Sequence, residues 1–216
     1  MLTVNATEMT MRLIGMLDSP YVRRVAVSMK LMGLPFHHEP VSVFRHFDAF
    51  AAINPVVKAP SLVTDDGVVL MESTLILDFI ERLAPEARRL TPSDLAALAR
   101  NQRLTGLALA ACEKTVQIVY EHELRPLAKR HAPWLERVEG QLRAAYALLE
   151  AETSEGWLVE ERPMQADVSA AVALSFARFI LPEATLERTG IASLERLSAL
   201  TARAEALPEF ASTPMA

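Results

Sequence analysis

Cysteine is nearly absent from this sequence, which contains a single one, Cys112, among 216 residues. One cysteine cannot form an internal disulfide, so the composition favours a reducing compartment. Cys112 stands in the apolar helical stretch GLALAACEK, a context in which cysteine usually behaves as a small buried hydrophobic residue. A disulfide-stabilised scaffold is therefore excluded, and chemistry through a protein thiol is disfavoured.

Long apolar runs and a field of basic charge are missing as well. No run reaches the roughly 18–20 apolar residues that a membrane span requires. The first ten residues lack the basic residue and the apolar stretch of a secretion signal. The net charge is -5, with 9 basic and 10 acidic side chains in residues 1–91, which gives little support to nucleic-acid binding. We therefore predict a cytoplasmic protein with no membrane or nucleic-acid partner.

The first part of the chain alternates between strand-like and helical hydrophobic patterns. Short apolar or β-branched runs predict strands, apolar residues spaced three or four apart predict helices, and Asp66-Gly67 predicts a hairpin turn. The predicted elements are a strand in 11–17, a helix over 20–33, a strand in 35–43, a helix over 45–54, a hairpin over 61–72 and a helix over 73–85. Since a helix joins parallel strands and a hairpin joins antiparallel ones, this order predicts a mixed sheet.

The second part of the chain shows only helical periodicity. The predicted helices lie in 92–124, 133–152, 165–181 and 193–207. We therefore predict two domains, a small α/β domain over 11–86 and an all-α domain over 92–210. Glycine is scarce at 7 residues, which argues against a fibrous or low-complexity architecture. Hydrophobic residues make up 51% of the chain, which is enough to form a buried core.

Four motifs at their present spacing resemble the cytosolic glutathione transferases, in the bacterial form with a serine in the N-terminal motif. They are SPYVRR (19–24), NPVVKAPSLV (54–63), ESTLILDFIE (72–81) and MQADVSAAVAL (164–174). The resemblance implies a thioredoxin-like N-terminal domain with a mixed four-stranded sheet, followed by an all-helical C-terminal domain that lines a pocket for an electrophile. It also implies a homodimer that uses glutathione as co-substrate, without a metal, in detoxification of small hydrophobic electrophiles.

The resemblance also assigns glutathione-binding roles to particular positions. Pro60 would follow a cis peptide bond, so that the backbone of Ala59 pairs with the cysteinyl unit of glutathione like an added strand. Ser73 would hold the γ-glutamyl carboxylate at a helix N-terminus, and Glu72 would pair with the ammonium group. From the residues alone, Pro60 also fits an ordinary turn, and Glu72-Ser73 also fits a plain helix cap.

Two cations could meet the glycyl carboxylate at the other end of the tripeptide. Lys58 carries a point charge on a long flexible stem, beside the proline motif. Arg45, next to His46 in the predicted helix after the second strand, could reinforce it, although this correspondence with related enzymes is loose. A solvated surface charge is the alternative for each.

Ser19 is the predicted catalytic residue. It stands directly before Pro20 at the start of the first helix, where a hydroxyl donor and the positive helix end both favour a thiolate. It could equally serve as a cap alone. In some related enzymes the active hydroxyl lies one residue earlier, where this chain has Asp18, and Tyr21 is a rival donor.

Two further positions depart from the family pattern. Val57 replaces the usual glycine in NPVVKAP, and Met164 replaces the usual hydroxyl cap of the helix that retains Asp167. The leading hypothesis is conjugation of glutathione to a small hydrophobic electrophile. The alternatives are a non-catalytic glutathione-transferase-like binding module and a glutathione-dependent thiol reductase, the latter disfavoured because no cysteine precedes Pro20.

Overall fold

The structure is a computed structural model that describes residues 11–215. The expectation that the chain lacks a secretion signal rests on residues outside this range. The described residues divide into two compact units, one formed by residues 11–89 and 213–215 and the other by Leu90–Ser212. From residue 11 to residue 215, no helix combines the length and the hydrophobicity that crossing a bilayer demands.

Among its described residues, the first unit contains a four-stranded sheet and three α-helices. Its elements are β1 (Arg12–Ile14), α1 (Pro20–Met32), β2 (His37–Glu39), α2 (Phe47–Ile53), β3 (Ser61–Val63), β4 (Val69–Met71) and α3 (Ser73–Leu83). The strands lie in the order β2-β1-β3-β4; β1 is parallel to β2, and the other two pairs are antiparallel. The predicted mixed sheet and its element order are confirmed.

Helix α1 forms where its hydrophobic period and its end signals predict it. Ser19 caps the first turn, and Gly33 ends the helix in the left-handed conformation with φ +72°. The apolar residues of α1 that are spaced three or four apart in the sequence are buried. Arg23 and Arg24 are buried too, at 2% and 1% exposure, which the apolar pattern alone does not predict.

Helix α2 begins two residues later than predicted, at Phe47. The hydroxyl oxygen of Ser42 accepts hydrogen bonds from the backbone N–H groups of Phe44 and Arg45, and the Ser42 N–H donates to Nδ1 of His46. These side-chain bonds hold 42–46 as a turn, since serine competes with helix formation by bonding nearby backbone groups. Arg45 therefore lies in the turn before α2 and not within the helix.

Helices are the only regular secondary structure among the described residues of the second unit. Its helices are α4 (Leu95–Glu123), α5 (Ala132–Glu152), α6 (Gln165–Ile180), α7 (Glu183–Arg188), α8 (Glu195–Glu205) and α9 (Pro208–Ala211). Helix α6 is buried along most of its length and packs against α4 and α8. The short helices α7 and α9 were not predicted, because four to six residues are too few to display a helical period.

The start of α6 compensates for the missing hydroxyl at Met164. The N–H of Gln165 donates to the carbonyl oxygen of Leu90 (2.9 Å), and the N–H of Ala166 donates to Oδ1 of Asn101 (3.0 Å). Oδ2 of Asp167 accepts from the N–H of Met164 at 2.9 Å. Acceptors from elsewhere in the unit thus serve the first turn, and Met164 is free to be a fully buried apolar residue.

Candidate functional site

Three strands of the first unit end side by side at one edge of the sheet. In the sheet register, Ile14 of β1 pairs with Ser61 of β3, and Ser61 pairs with Met71 of β4. Neighbouring strands lie about 4.8 Å apart. The segments that follow Ile14, precede Ser61 and follow Met71 therefore start within about 10 Å of one another. These segments carry Ser19, Ala59-Pro60 and Glu72-Ser73, so the structure brings the predicted positions to a common edge.

Ser19 occupies the N-cap of α1, and its side chain is partly exposed. The hydroxyl oxygen accepts a long hydrogen bond, 3.5 Å, from the N–H of Val22. A serine hydroxyl has one donor hydrogen in addition to its acceptor lone pairs. The capping bond uses an acceptor lone pair, so capping leaves the hydrogen available for an anion at the same helix end.

The loop before β3 holds the predicted proline motif. The Ala59-Pro60 peptide bond is cis. Nδ2 of buried Asn54 donates to the hydroxyl oxygen of Ser61 (2.9 Å), and that hydroxyl donates to the carbonyl oxygen of Lys58 (2.9 Å). This chain of hydrogen bonds runs across the base of the loop and fixes the path of the backbone at Ala59.

Val57 lies in the same loop with a φ of +51°, a left-handed conformation that is unusual for a β-branched residue. Its side chain packs on a core cluster of Ile14, Phe50 and Val63. The departure from glycine noted in the sequence therefore sits at a strained backbone position, and apolar packing offsets part of that strain.

Glu72 and Ser73 form the corner between β4 and α3. Glu72 has a φ of +72°, and its Oε2 accepts from the N–H groups of Thr74 (3.1 Å) and Leu75 (3.3 Å). Ser73 is 1% exposed, and its hydroxyl lies 2.9 Å from Nη1 of Arg24 and 3.4 Å from Oε1 of Glu72. The acid-plus-hydroxyl pair is therefore an organised helix N-terminus, with a buried arginine behind it.

The side chains of Lys58 and Arg45 are both exposed. Neither forms an ion pair with another residue of the described range 11–215. Lys58 precedes Ala59 directly, whereas Arg45 lies in the turn after β2, whose last residue, Glu39, pairs with Ile14. Both positions are compatible with an anion at the sheet edge, and Lys58 is adjacent to it in sequence.

Gly15 and His38 belong to this edge but were not singled out in the sequence. Gly15 has a φ of +138°, and its carbonyl oxygen lies 2.8 Å from Nε2 of His38. A Cβ at Gly15 would lie 2.6 Å from Cγ2 of Val22 and 3.2 Å from Cβ of Ala59. The turn that leads to Ser19 thus approaches the cis-proline loop closely, and only glycine fits there.

Family comparisons agree with this arrangement. The N-terminal domain of glutathione S-transferases matches residues 13–88, and the C-terminal domain of the same family matches residues 132–203. This chain belongs to the glutathione S-transferase family. The first unit is accordingly the thioredoxin-like domain of that family, and the second is its helical domain.

Three relatives illustrate the similarity. A glutathione S-transferase from Methylobacterium radiotolerans, solved in complex with glutathione sulfonate, superposes with a TM-score of 0.86 at 29% identity, covering 96% of each chain. The GST-like protein YibF of Escherichia coli K12 is 26% identical over 78% of this chain and 83% of its own length. Maleylacetoacetate isomerase of Pseudomonas aeruginosa is 27% identical over 67% of this chain and 71% of its own length.

Sequence reasoning missed the residues that support the site from behind. No local pattern indicates that Arg24 is buried beside Ser73 or that His38 reaches Gly15. Asn54 was quoted only as part of a motif, although its buried amide holds the proline loop. No group of three or more His, Cys, Asp or Glu side chains within residues 11–215 is arranged to hold a metal ion.

Proposed function

We propose that this member of the family is a glutathione transferase, which adds the thiolate of glutathione to a small hydrophobic electrophile. The observation that carries the proposal is the common sheet edge, where Ile14, Ser61 and Met71 stand in one register. A tripeptide about 10 Å long could reach all three segments at once.

Glutathione would lie along this edge with each end met by complementary chemistry. Its cysteinyl unit would pair with the backbone of Ala59, which precedes the cis bond to Pro60. Its γ-glutamyl carboxylate would meet the Glu72-Ser73 corner, and its ammonium group would meet the Glu72 carboxylate. Its glycyl carboxylate would meet Lys58, with Arg45 as a second cation.

Ser19 would lower the pKa of the glutathione thiol by donating its hydroxyl hydrogen to the sulfur. A free thiol has a pKa of about 8.5, and each unit of lowering requires roughly 1.4 kcal/mol of preference for the anion. A hydrogen bond to a charged group contributes about 1.5–3 kcal/mol. One hydroxyl could therefore lower the thiol pKa by about one to two units, and the positive end of α1 acts in the same direction.

The test compares wild type with Ser19→Ala and with Tyr21→Phe, which removes the rival hydroxyl as a matched control. We would titrate the ultraviolet absorbance of the bound thiolate and measure conjugation of a chloronitroaromatic electrophile. In Ser19→Ala we expect the thiol pKa to rise by about one unit and the rate at neutral pH to fall roughly tenfold, with little change in glutathione affinity. Tyr21→Phe should resemble wild type, and an unchanged pKa and rate in Ser19→Ala would remove Ser19 from the mechanism.

The similarity to maleylacetoacetate isomerase favours a second candidate reaction at the same site. A thiolate that adds to an activated double bond and then leaves would isomerise that bond without net consumption of glutathione. Incubation with a cis-enedione and catalytic glutathione distinguishes the two reactions. Recovery of the trans isomer with all glutathione retained supports isomerisation, and a stable thioether adduct supports conjugation.

A non-catalytic binding module and a thiol reductase remain the competing functions. Binding of glutathione without a thiolate absorbance signal would favour the module. The reductase is disfavoured because the single cysteine, Cys112, is buried in α4 of the helical unit. We further propose a cytoplasmic homodimer, on the resemblance to the family, and sedimentation equilibrium would measure the mass of the assembly.

A further inference from the structure

Arg24 of α1 contacts the start of α3 from the interior of the first unit. It is 1% exposed, and its Nη1 lies 2.9 Å from the hydroxyl oxygen of Ser73 and 3.4 Å from that of Thr74. Arginine remains charged at every pH at which proteins fold. A permanent positive charge is therefore fixed directly behind the corner at which the ligand carboxylate is proposed to dock.

The hydrogen bond from Arg24 determines the orientation of the Ser73 hydroxyl. A guanidinium has donors and no acceptor, so the Ser73 oxygen must accept from it. The hydroxyl hydrogen of Ser73 then points away from Arg24 and toward an acceptor on the other side. Oε1 of Glu72, at 3.4 Å, is that acceptor in the structure, and at this length the bond is weak enough for a ligand carboxylate to replace it.

The first turn of α3 also has one backbone N–H group without an acceptor among residues 11–215, beside the Ser73 hydroxyl. The N–H groups of Thr74 and Leu75 donate to Oε2 of Glu72, and the N–H of Ile76 donates to the Glu72 carbonyl. Of the four N–H groups in the first turn, only that of Ser73 has no acceptor among residues 11–215. The amide and the hydroxyl of Ser73 are therefore two adjacent donors, and Arg24 holds the second of them in place.

We propose that Arg24 is a positioning residue for the α-carboxylate of the γ-glutamyl group. It acts through Ser73, whose hydroxyl it keeps oriented as a donor, and it adds a buried positive charge that favours an anion at that corner. The inference rests on the proposed binding of glutathione and extends it to a residue that would not itself touch the ligand.

The test uses two ligands that differ only at the carboxylate in question. Isothermal titration calorimetry would measure the Kd of glutathione and of its decarboxylated analogue, γ-aminobutyryl-cysteinyl-glycine. The variants are Arg24→Met and Arg24→Lys. Arg23→Met is the matched control, because Arg23 is the neighbouring residue of α1, is 2% exposed and donates to the carbonyl oxygen of Thr213.

We expect Arg24→Met to weaken glutathione binding at least tenfold and analogue binding less than twofold, since a hydrogen-bonded charge contributes about a factor of ten or more to binding of an anion. Arg24→Lys keeps the charge but loses the planar fork, and we expect a loss of roughly threefold to tenfold for glutathione alone. The lysine variant also supplies the test if the methionine variant does not fold.

Each contrary outcome has a distinct meaning. Equal losses for both ligands, or losses in Arg24 variants no larger than in Arg23→Met, would show that Arg24 only supports the fold and would overturn the inference. If Arg24→Lys and Arg24→Met bind glutathione with the same Kd as wild type, the inference is overturned and the proposed function stands. Failure of wild type to bind glutathione would overturn both.

Discussion

Gly15 lies against Ala59 so closely that a Cβ on the glycine would stand 3.2 Å from the alanine Cβ. This contact joins the turn that leads to Ser19 with the loop that contains the cis peptide bond. Ser19 is the proposed hydrogen-bond donor to the thiolate, and Ala59 is the proposed backbone partner of glutathione. The close approach of Gly15 to Ala59 thus helps to set the distance between them.

Gly15→Ala should destabilise the protein and weaken glutathione binding. The new methyl group would meet Cγ2 of Val22 at 2.6 Å, and the φ of +138° is unfavourable for any residue with a Cβ. We expect a loss of about 2–4 kcal/mol in the free energy of unfolding, measured by urea titration. Gly67→Ala is the control: its φ is also positive, at +79°, but nothing lies within 4 Å of the added Cβ. Equal losses in the two variants would contradict the close approach.

Val57 offers a test of backbone strain. At a φ of +51°, glycine should be preferred over alanine, the reverse of the order at ordinary positions. We therefore expect Val57→Gly to be more stable than Val57→Ala by about 1 kcal/mol, even though both lose the packing against Phe50. The matched pair is Val56→Gly and Val56→Ala, at an exposed neighbour without a positive φ, where alanine should be the more stable. If the glycine and alanine variants have the same order of stability at both positions, the backbone at Val57 is not strained.

Local signals in the sequence predicted much of the first unit. The apolar period of α1, its Ser19 cap and its Gly33 end are all properties of neighbouring residues, and the hairpin around Asp66-Gly67 is equally local. The orientation of Ser73 by Arg24 could not be predicted, because it joins residues 49 positions apart and buries a charge that is usually solvated. The strain at Val57 follows from the loop as a whole, although the absence of the usual glycine pointed to the position.

Asp167 should make stability depend on pH. Its carboxylate is buried, and burial raises its pKa from 3.8 to about 6, against the lowering effect of hydrogen bonds from the N–H groups of Met164 and Leu158. A raised folded-state pKa contributes stability that is fully present below the unfolded pKa near 4 and is lost as the pH rises through about 6. Asp167→Asn cannot titrate, so the difference in unfolding free energy between wild type and this variant isolates the effect.

We expect that difference, wild type minus Asp167→Asn, to fall by about 2–3 kcal/mol between pH 4 and pH 7. Urea unfolding at four pH values across that range measures it. A constant difference would mean that Asp167 ionises equally in the folded and unfolded states. A rising difference would mean that the hydrogen bonds to its carboxylate outweigh its burial.

Restoring a hydroxyl cap to α6 should not stabilise this protein. A serine at an N-cap usually contributes about 1 kcal/mol, but the N–H groups of Gln165 and Ala166 already have acceptors in Leu90 and Asn101. Met164→Ser would also remove a fully buried side chain, which costs about 2–4 kcal/mol. We expect a net loss of about 1–3 kcal/mol in the unfolding free energy. A gain in thermal stability would show that the acceptors from other helices leave the first turn incomplete.

The helical unit shows where sequence reasoning reaches its limit. The four long helices follow from their periods, and the retained Asp167 correctly marked the start of α6. The replacement of the cap by Asn101, however, depends on α4 packing beside α6, and no feature near Met164 in the sequence indicates it. Contacts between distant segments therefore supply the acceptors that the missing hydroxyl at Met164 does not.

The carboxylate of Glu72 accepts hydrogen bonds from two backbone amides of α3. A corner fixed by its own hydrogen bonds keeps its shape, so a molecule that binds there need not order it. Little conformational entropy would then be lost on association. The rigidity of this one turn would thus favour fast association and fast dissociation over a slow conformational closure around the bound molecule.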